Sequence, residues 1–242
     1  MSKPKLADVM VQRGLAKDLR EATAMVLAGQ VLSGDTLLEK PGQAVDPAIV
    51  LRLRGQKAYA SRAGGKLEAA LAAGQIDVTG LVCLDLGAST GGFTHCLLEH
   101  GAAKVYAVEK GHRQLAYALT EDPRVISWES KDGLALTPAD FKEPLGFACA
   151  DISFMGLKPF LPVLAKLLPA GASWVLLVKP QFELAASKVG QGGIVRSDEL
   201  RQEALESVQA AANQAGLKPV GSMASPVVGT KGNREWLLWG RR

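Results

Sequence analysis

Over residues 5–29 the chain reads KLADVMVQRGLAKDLREATAMVLAG, with apolar side chains at helical spacing. Leu6, Val9 and Met10 fit one face of a short helix that Gly14 breaks. Leu19, Ala22, Met25 and Val26 fit a second that Gly29 stops. The period then changes. Residues 30–32 and 36–38 flank Ser33-Gly34-Asp35, which predicts a hairpin, and 45–53 predicts a further strand. Residues 1–58 therefore read as a small α+β module. Residues 54–65, RGQKAYASRAGG, are glycine-rich, polar and basic, as a joint between domains would be. The expected division is a first domain over 1–58, a linker over 59–65 and a second domain over 66–242.

From residue 66 the chain alternates between two patterns. KLEAALAA, residues 66–73, predicts a helix ended by Gly74. Apolar runs follow at 81–84, 105–108, 147–150 and 174–178, with further strand material at Tyr59, 220–223 and 236–239. Runs of this kind separated by helical stretches predict a mostly parallel sheet covered on both faces.

Each of the four runs ends in an ionisable residue: LVCL in Asp85, VYAV in Glu109, FACA in Asp151 and WVLLV in Lys179. Ligands of open α/β sheets bind outside the carboxyl ends of the strands, so four charges are expected along one edge. The first run leads into LDLGASTGGFTHCLLEHG, a strand, a glycine-rich turn and a helix start. A phosphate cradle of the P-loop kind needs Gly-Lys-Ser/Thr, and this turn has no lysine. A dinucleotide fingerprint needs G-x-G-x-x-G, and here the spacing is G-x-x-x-G-G. Asp85 at the mouth would repel a pyrophosphate and suits a cation. S-adenosylmethionine carries an ammonium and a sulfonium. Gly87, Ser89, Thr90, Gly91, Gly92 and Phe93 would let the backbone approach its methionine part. Glu109, 24 residues beyond Asp85, stands where an acidic residue accepts from ribose hydroxyls. Asp132-Gly133 is placed to meet the adenine edge, although Asp-Gly is equally a plain turn.

Charge adds one asymmetry. The 242 residues carry a net +4, and all of it lies in residues 1–62, with ten Lys/Arg against six Asp/Glu; residues 63–242 carry eighteen of each. A basic module ahead of a neutral one points to a polyanion, with Lys5, Arg13, Lys17, Arg20 and Arg62 as candidate contacts. Cys83, Cys96 and Cys149 are widely spaced and show no metal-ligand pattern, so buried free thiols in a reducing compartment, and no metal, are expected. The N-terminus lacks an apolar signal core. The longest apolar run, 172–178, is far below the roughly 20 residues of a spanning helix. A soluble cytoplasmic protein that does not bind membranes is the resulting expectation.

Two stretches resemble known families. KLADVMVQRGLAKDLREATAMVLAGQVLSG with the trailing KPGQAV resembles the S4-like RNA-binding domain, with Lys5-Leu6-Ala7 for its usual Arg-Leu-Asp opening and Leu32-Ser33-Gly34 for its Val-Asn-Gly turn. The rest resembles the TlyA/FtsJ-like rRNA 2′-O-methyltransferases, often labelled hemolysin A, along YASRAGGKLEAAL, CLDLGASTGGFTHCLLEHGAAKVYAVEKGHRQLAYAL, ADISFMGL, LLVKPQFE, VGQGGIVR and GTKGNREWLL. The resemblance implies a Rossmann-like class I methyltransferase with a seven-stranded, mostly parallel sheet. It also implies S-adenosylmethionine as cofactor, ribosomal RNA or a ribosomal subunit as partner, and methyl transfer to a ribose 2′-hydroxyl, of cytidine in the TlyA pattern. Its Lys-Asp-Lys-Glu tetrad falls on Lys66, Asp151, Lys179 and Glu235. A ribose hydroxyl is a poor nucleophile and needs a base; Lys179 is the expected base, Lys66 positions the hydroxyl or phosphate, and Asp151, also a candidate cofactor contact, and Glu235 orient the lysines. The sequence departs from the family at His95 and Glu109, where Asp is common, and at Asp132 and Leu134, where Asn and Arg are usual. Two other functions fit less well. A non-catalytic RNA-binding factor has no need of the full tetrad, and a membrane-active hemolysin would carry a spanning or strongly cationic amphipathic segment.

Overall fold

The computed structural model describes residues 3–33, 36–47, 49, 51–53, 59–229 and 232–242. Gly34 and Asp35 of the expected hairpin turn, residues 48 and 50 of the expected third strand, 54–58 of the expected joint, and Thr230 and Lys231 of the GTKGNREW motif lie outside the described residues. The chain divides into two compact units, Met1–Ala58 and Tyr59–Arg242.

In the first unit the helical spacing yields α1 (Leu6–Gln12) and α2 (Leu19–Leu27). Asp18 caps α2 by accepting from the Glu21 amide at 2.8 Å. β1 (Val31–Ser33) pairs antiparallel with β2 (Thr36–Leu37), Leu32 opposite Leu37. It pairs also with β3 (Arg52–Leu53). Leu6, Val9, Met10, Ala22, Val26, Val31 and Val45 form the core of this unit. Among the described residues of the strand expected over 45–53, only Arg52 and Leu53 are in a strand. Pro47 has no amide to give a ladder. The Ile49 amide turns back to the Asp46 carbonyl at 2.9 Å. Arg13 donates to the carbonyls of Pro47 and Ile49, which are thereby taken up outside a strand ladder.

In the second unit α3 (Ala63–Ala73) begins three residues before the expected start and is capped by Gly74. There follow β4 (Val82–Leu86), α4 (Gly92–Glu99), β5 (Lys104–Glu109), α5 (Tyr117–Thr120), β6 (Val125–Glu129) and β7 (Phe147–Ala150). The chain closes with α6 (Leu161–Leu167), β8 (Ser173–Val178), α7 (Pro180–Glu183), α8 (Asp198–Gln214), β9 (Lys218–Ala224) and β10 (Trp236–Arg241). The seven strands lie in the order β6-β5-β4-β7-β8-β10-β9. All pairs are parallel except those made by β10. The order reverses at β4, so the crevice between the ends of β4 and β7 is the natural ligand position. Tyr59 lies in no strand. Its ring instead lies under Gly64, where a Cβ would come 2.3 Å from it, and meets His95 edge-on at 5.7 Å.

Strand alternation builds two cores. Leu84, Leu86, Ala148, Ala150, Trp174, Leu176 and Val178 face α6 and α8. Cys83, Val105, Phe147, Cys149, Val175 and Leu177 face α3 and α4. Burying each of the large side chains contributes about 1.5–3 kcal/mol. The three cysteines are buried thiols of this second core.

Candidate functional site

The same alternation decides what happens to Asp85. It lies within β4 on the Cys83 side, so its carboxylate points beneath α4 and away from the mouth of the turn. It is fully buried. It accepts from the Thr94 hydroxyl at 2.7 Å and faces the Cys149 thiol at 3.7 Å. The expected cation partner at the mouth is therefore a buried acid under the floor. Burial pushes its pKa up to about 7, against the lowering effect of the Thr94 hydrogen bond.

A carboxyl whose folded pKa is raised contributes stability that is fully present below its unfolded value, near 4, and lost as pH rises through about 7. In that window the unsubstituted chain is expected to lose stability relative to Asp85→Asn, by an amount on the order of 4 kcal/mol at full ionisation. Denaturant unfolding of both proteins from pH 4 to 8 checks this. Parallel pH profiles would contradict the assignment.

The glycines of the turn bring backbone segments together. Gly87 sits at φ +79°, and a Cβ there would lie 2.7 Å from the Asp151 carbonyl oxygen. Gly91, at φ +91°, starts α4 in the left-handed region, which favours glycine. A Cβ on Gly92 would meet Ser61 Oγ at 2.3 Å, so α4 can approach the N-terminus of α3 only with glycine there.

That approach carries Lys66, on the first turn of α3, to the strand ends. A cavity of about 260 Å³ opens there. Its walls are Ser61, Arg62, Ala63 and Lys66 from one side, Gly87–Thr90, Gly92 and Phe93 from the turn, Asp151 and Ser153 after β7, Lys179 after β8, and Gly229 and Glu235 before β10. All four tetrad residues line this one space. They stand as two ion pairs, Lys66 Nζ to Glu235 Oε2 at 2.5 Å and Lys179 Nζ to Asp151 Oδ1 at 2.6 Å. The first is buried, Lys66 and Glu235 being 5% and 4% exposed. The second is less enclosed, the Lys179 and Asp151 side chains being 10% and 19% exposed, and Lys179 also donates to Ser153 Oγ at 2.7 Å.

Of the other expected cofactor contacts, Gly87, Ser89, Thr90, Gly92 and Phe93 line the cavity, whereas Gly91, Glu109 and Asp132 do not. Glu109 ends β5 and ties the turn down. One oxygen accepts from the Ser89 amide at 3.0 Å and the other from the Gly111 amide at 2.7 Å. Asp132 accepts from the Leu134 amide at 3.0 Å and pairs with Lys110 at 3.2 Å, and these contacts hold its carboxyl below the usual range. Arg62 lines the cavity, while Lys5, Lys17 and Arg20 are exposed in the first unit. Arg13 is half-buried and donates to the Pro47 and Ile49 carbonyls.

Three contributors escaped the sequence reading. Asn233 is 2% exposed. It accepts from the Val195 amide at 2.9 Å and donates to the Gly193 carbonyl at 2.8 Å, pinning the VGQGGIVR loop beside Glu235. Thr94 partners Asp85, and Ser153 partners Lys179. All three lie inside motifs already singled out, but no spacing rule distinguishes them from ordinary polar residues. His95, an unexplained departure from the family pattern, accepts from the Ala60 amide through Nδ1 at 3.1 Å. It thus fixes the chain entering α3 to α4.

Comparison with known proteins gives a consistent result. The model of the FtsJ-like methyltransferase family matches residues 59–242. The chain is 41% identical over 232 residues to the 16S/23S rRNA (cytidine-2′-O)-methyltransferase TlyA of Mycobacterium tuberculosis, covering 95% of this chain and 87% of that protein. It is 38% identical over 235 residues to hemolysin A of Brachyspira hyodysenteriae, covering 96% and 98%. The solved structure of a hemolysin-labelled protein of Streptococcus thermophilus superposes with a TM-score of 0.77 at 39% identity, covering 100% of this chain and 89% of that one.

Proposed function

The chain belongs to the FtsJ-like methyltransferase family, and from that premise we propose that it transfers the methyl group of S-adenosylmethionine to a ribose 2′-hydroxyl of ribosomal RNA, on cytidine as in its TlyA relatives. The observation that carries this reading is the gathering of Lys66, Asp151, Lys179 and Glu235 around one cavity floored by the glycine turn. The residues fit the cofactor. The turn has no lysine to favour a pyrophosphate, and from Gly87 to Gly92 it carries no side chain larger than threonine. Glu109 spends one acceptor site per oxygen on the Ser89 and Gly111 amides and keeps lone pairs for ribose hydroxyls.

When bound, S-adenosylmethionine supplies an electrophilic methyl on a cationic sulfur. The chain must hold the hydroxyl in line and take its proton. Lys179 takes that proton, since it stands at the end of the central β8 with its amine in the cavity. Asp151 keeps Lys179 oriented through their ion pair. Lys66, held by Glu235, and Arg62 bind the hydroxyl or the neighbouring phosphates. Asp132 lies beside the β5 and β6 ends, at the adenine side. Incubating rRNA with the protein and methyl-labelled S-adenosylmethionine tests the reading. Label is expected in RNA, and its absence with a cofactor that binds would overturn it.

The first unit has the helix–helix–sheet order of an S4-like domain, and we assign RNA capture to it, through Lys5, Lys17 and Arg20. Proteins lacking residues 1–58 are expected to keep S-adenosylmethionine affinity and to bind rRNA at least about 10-fold more weakly, with a smaller salt dependence. Filter binding at two salt concentrations checks this, and equal RNA affinity would remove the unit from recognition. The proposed place of action is the cytoplasm, with rRNA or a ribosomal subunit as partner. A membrane-active reading finds no support: among the described residues no helix is long and apolar enough to cross a membrane.

A further inference from the structure

We infer that Ser153 is a positioning residue for the base, holding the Lys179 amine in the orientation from which it takes the hydroxyl proton. This rests on the methyl-transfer reading above. Lys179 has two close polar partners, and they differ in kind. Asp151 Oδ1 is a carboxylate oxygen 2.6 Å away, and its hold on the ammonium is charge-assisted. Ser153 Oγ receives a directed hydrogen bond from Nζ at 2.7 Å.

The difference matters for a base. Only the neutral amine can take a proton, and in that form the charge attraction of Asp151 is lost and an ordinary hydrogen bond to it is what remains. A serine oxygen accepts from an ammonium and from a neutral amine alike. Ser153 is therefore the partner whose hold changes least with the charge of the amine. It leaves the nitrogen lone pair free, because it occupies an N–H. Its own hydrogen remains available to a ribose oxygen in the cavity that it and Lys179 both line.

Ser153 is also held firmly enough to position something else. The Asp151 amide donates to the Leu86 carbonyl at 2.9 Å, which fixes one end of the segment to the sheet edge. The Leu157 amide donates to Glu183 Oε1 at 2.7 Å, which fixes the other end to α7. Between them Phe154 adopts φ +71°, a left-handed conformation unusual for a bulky residue. A segment anchored twice and bent at its centre presents Ser153 to Lys179 in one way. Ser153 is otherwise solvent-exposed, so its replacement removes no core contact.

The test uses the full chain with rRNA and S-adenosylmethionine. In Ser153→Ala, kcat is expected to fall about 10- to 100-fold, the scale of a misplaced reacting group, while KM for both substrates and cofactor affinity by calorimetry stay near those of the unsubstituted chain. Ser153→Thr, which keeps the hydroxyl, is expected to restore most of kcat. A kcat unchanged in Ser153→Ala, a loss carried by KM alone, or a threonine variant as slow as the alanine one would overturn the inference. Absence of methyl transfer by the unsubstituted chain would instead sink the reading beneath it, so the two failures are distinct.

Discussion

Lys179→Ala is expected to bind S-adenosylmethionine as tightly as the unsubstituted chain and to lose methyl transfer to rRNA by about 100- to 10,000-fold, the range spanned by positioned acid–base groups. The cofactor half of this expectation follows from geometry. The glycine turn is fixed by its own backbone bonds, the Gly87 and Ala88 amides donating to the Val108 carbonyl at 2.9 and 3.1 Å, and by Glu109. None of these contacts involves Lys179. The rate half follows from the cavity. The only other tetrad lysine, Lys66, is committed to Glu235 at 2.5 Å in a nearly closed setting and cannot replace it. Calorimetry with the cofactor and initial rates of label transfer separate the two halves. Undiminished transfer would move the base assignment elsewhere.

Glu235→Ala is expected to damage folding as well as activity. It leaves the Lys66 ammonium buried with its ion-pair partner gone, a loss of about 3–5 kcal/mol for a pair of this kind. Gly229 backs directly onto the carboxylate, a Cβ there coming 2.6 Å from Glu235 Oε1, so the site has little room to rearrange. Removing both charges should separate the two effects. The double variant Lys66→Met, Glu235→Leu is expected to recover most of the stability and none of the methyl transfer. Denaturant unfolding together with transfer rates checks this. A double variant that regains activity would show that the pair is structural only.

The larger features of the fold were written in the period of the apolar residues. The helices at Leu6–Gln12 and Leu19–Leu27 and the four runs that became β4, β5, β7 and β8 stand where the pattern put them. β6 was harder to see, because it is an edge strand and VISWE mixes polar with apolar residues instead of forming an apolar run. The third strand of the first unit is described only at Arg52–Leu53, and Arg13 claims the Pro47 and Ile49 carbonyls ahead of it from 34 and 36 residues away. Nothing local announces such a contact.

The site was legible as a set of strand ends and less so as side-chain directions. Glu109, Asp151 and Lys179 reach the edge that their positions predict. Asp85 does not, since the alternation that buries Cys83 buries it too. The glycines were read as room for a ligand, and Gly87 and Gly92 turned out also to be room for Asp151 and for α3. Lys66 and Glu235, 169 positions apart, could be joined only through the family resemblance or the structure.

The most direct measurement of the central claim is the chemical position of the methyl group. rRNA incubated with the protein and S-adenosylmethionine is digested to nucleosides and analysed by mass spectrometry, with Lys179→Ala as the paired control. A 2′-O-methylated nucleoside, cytidine in particular, formed by the unsubstituted chain and missing in the control, is the predicted result. Methyl groups found only on bases, or ribose methylation equal in both proteins, would contradict it.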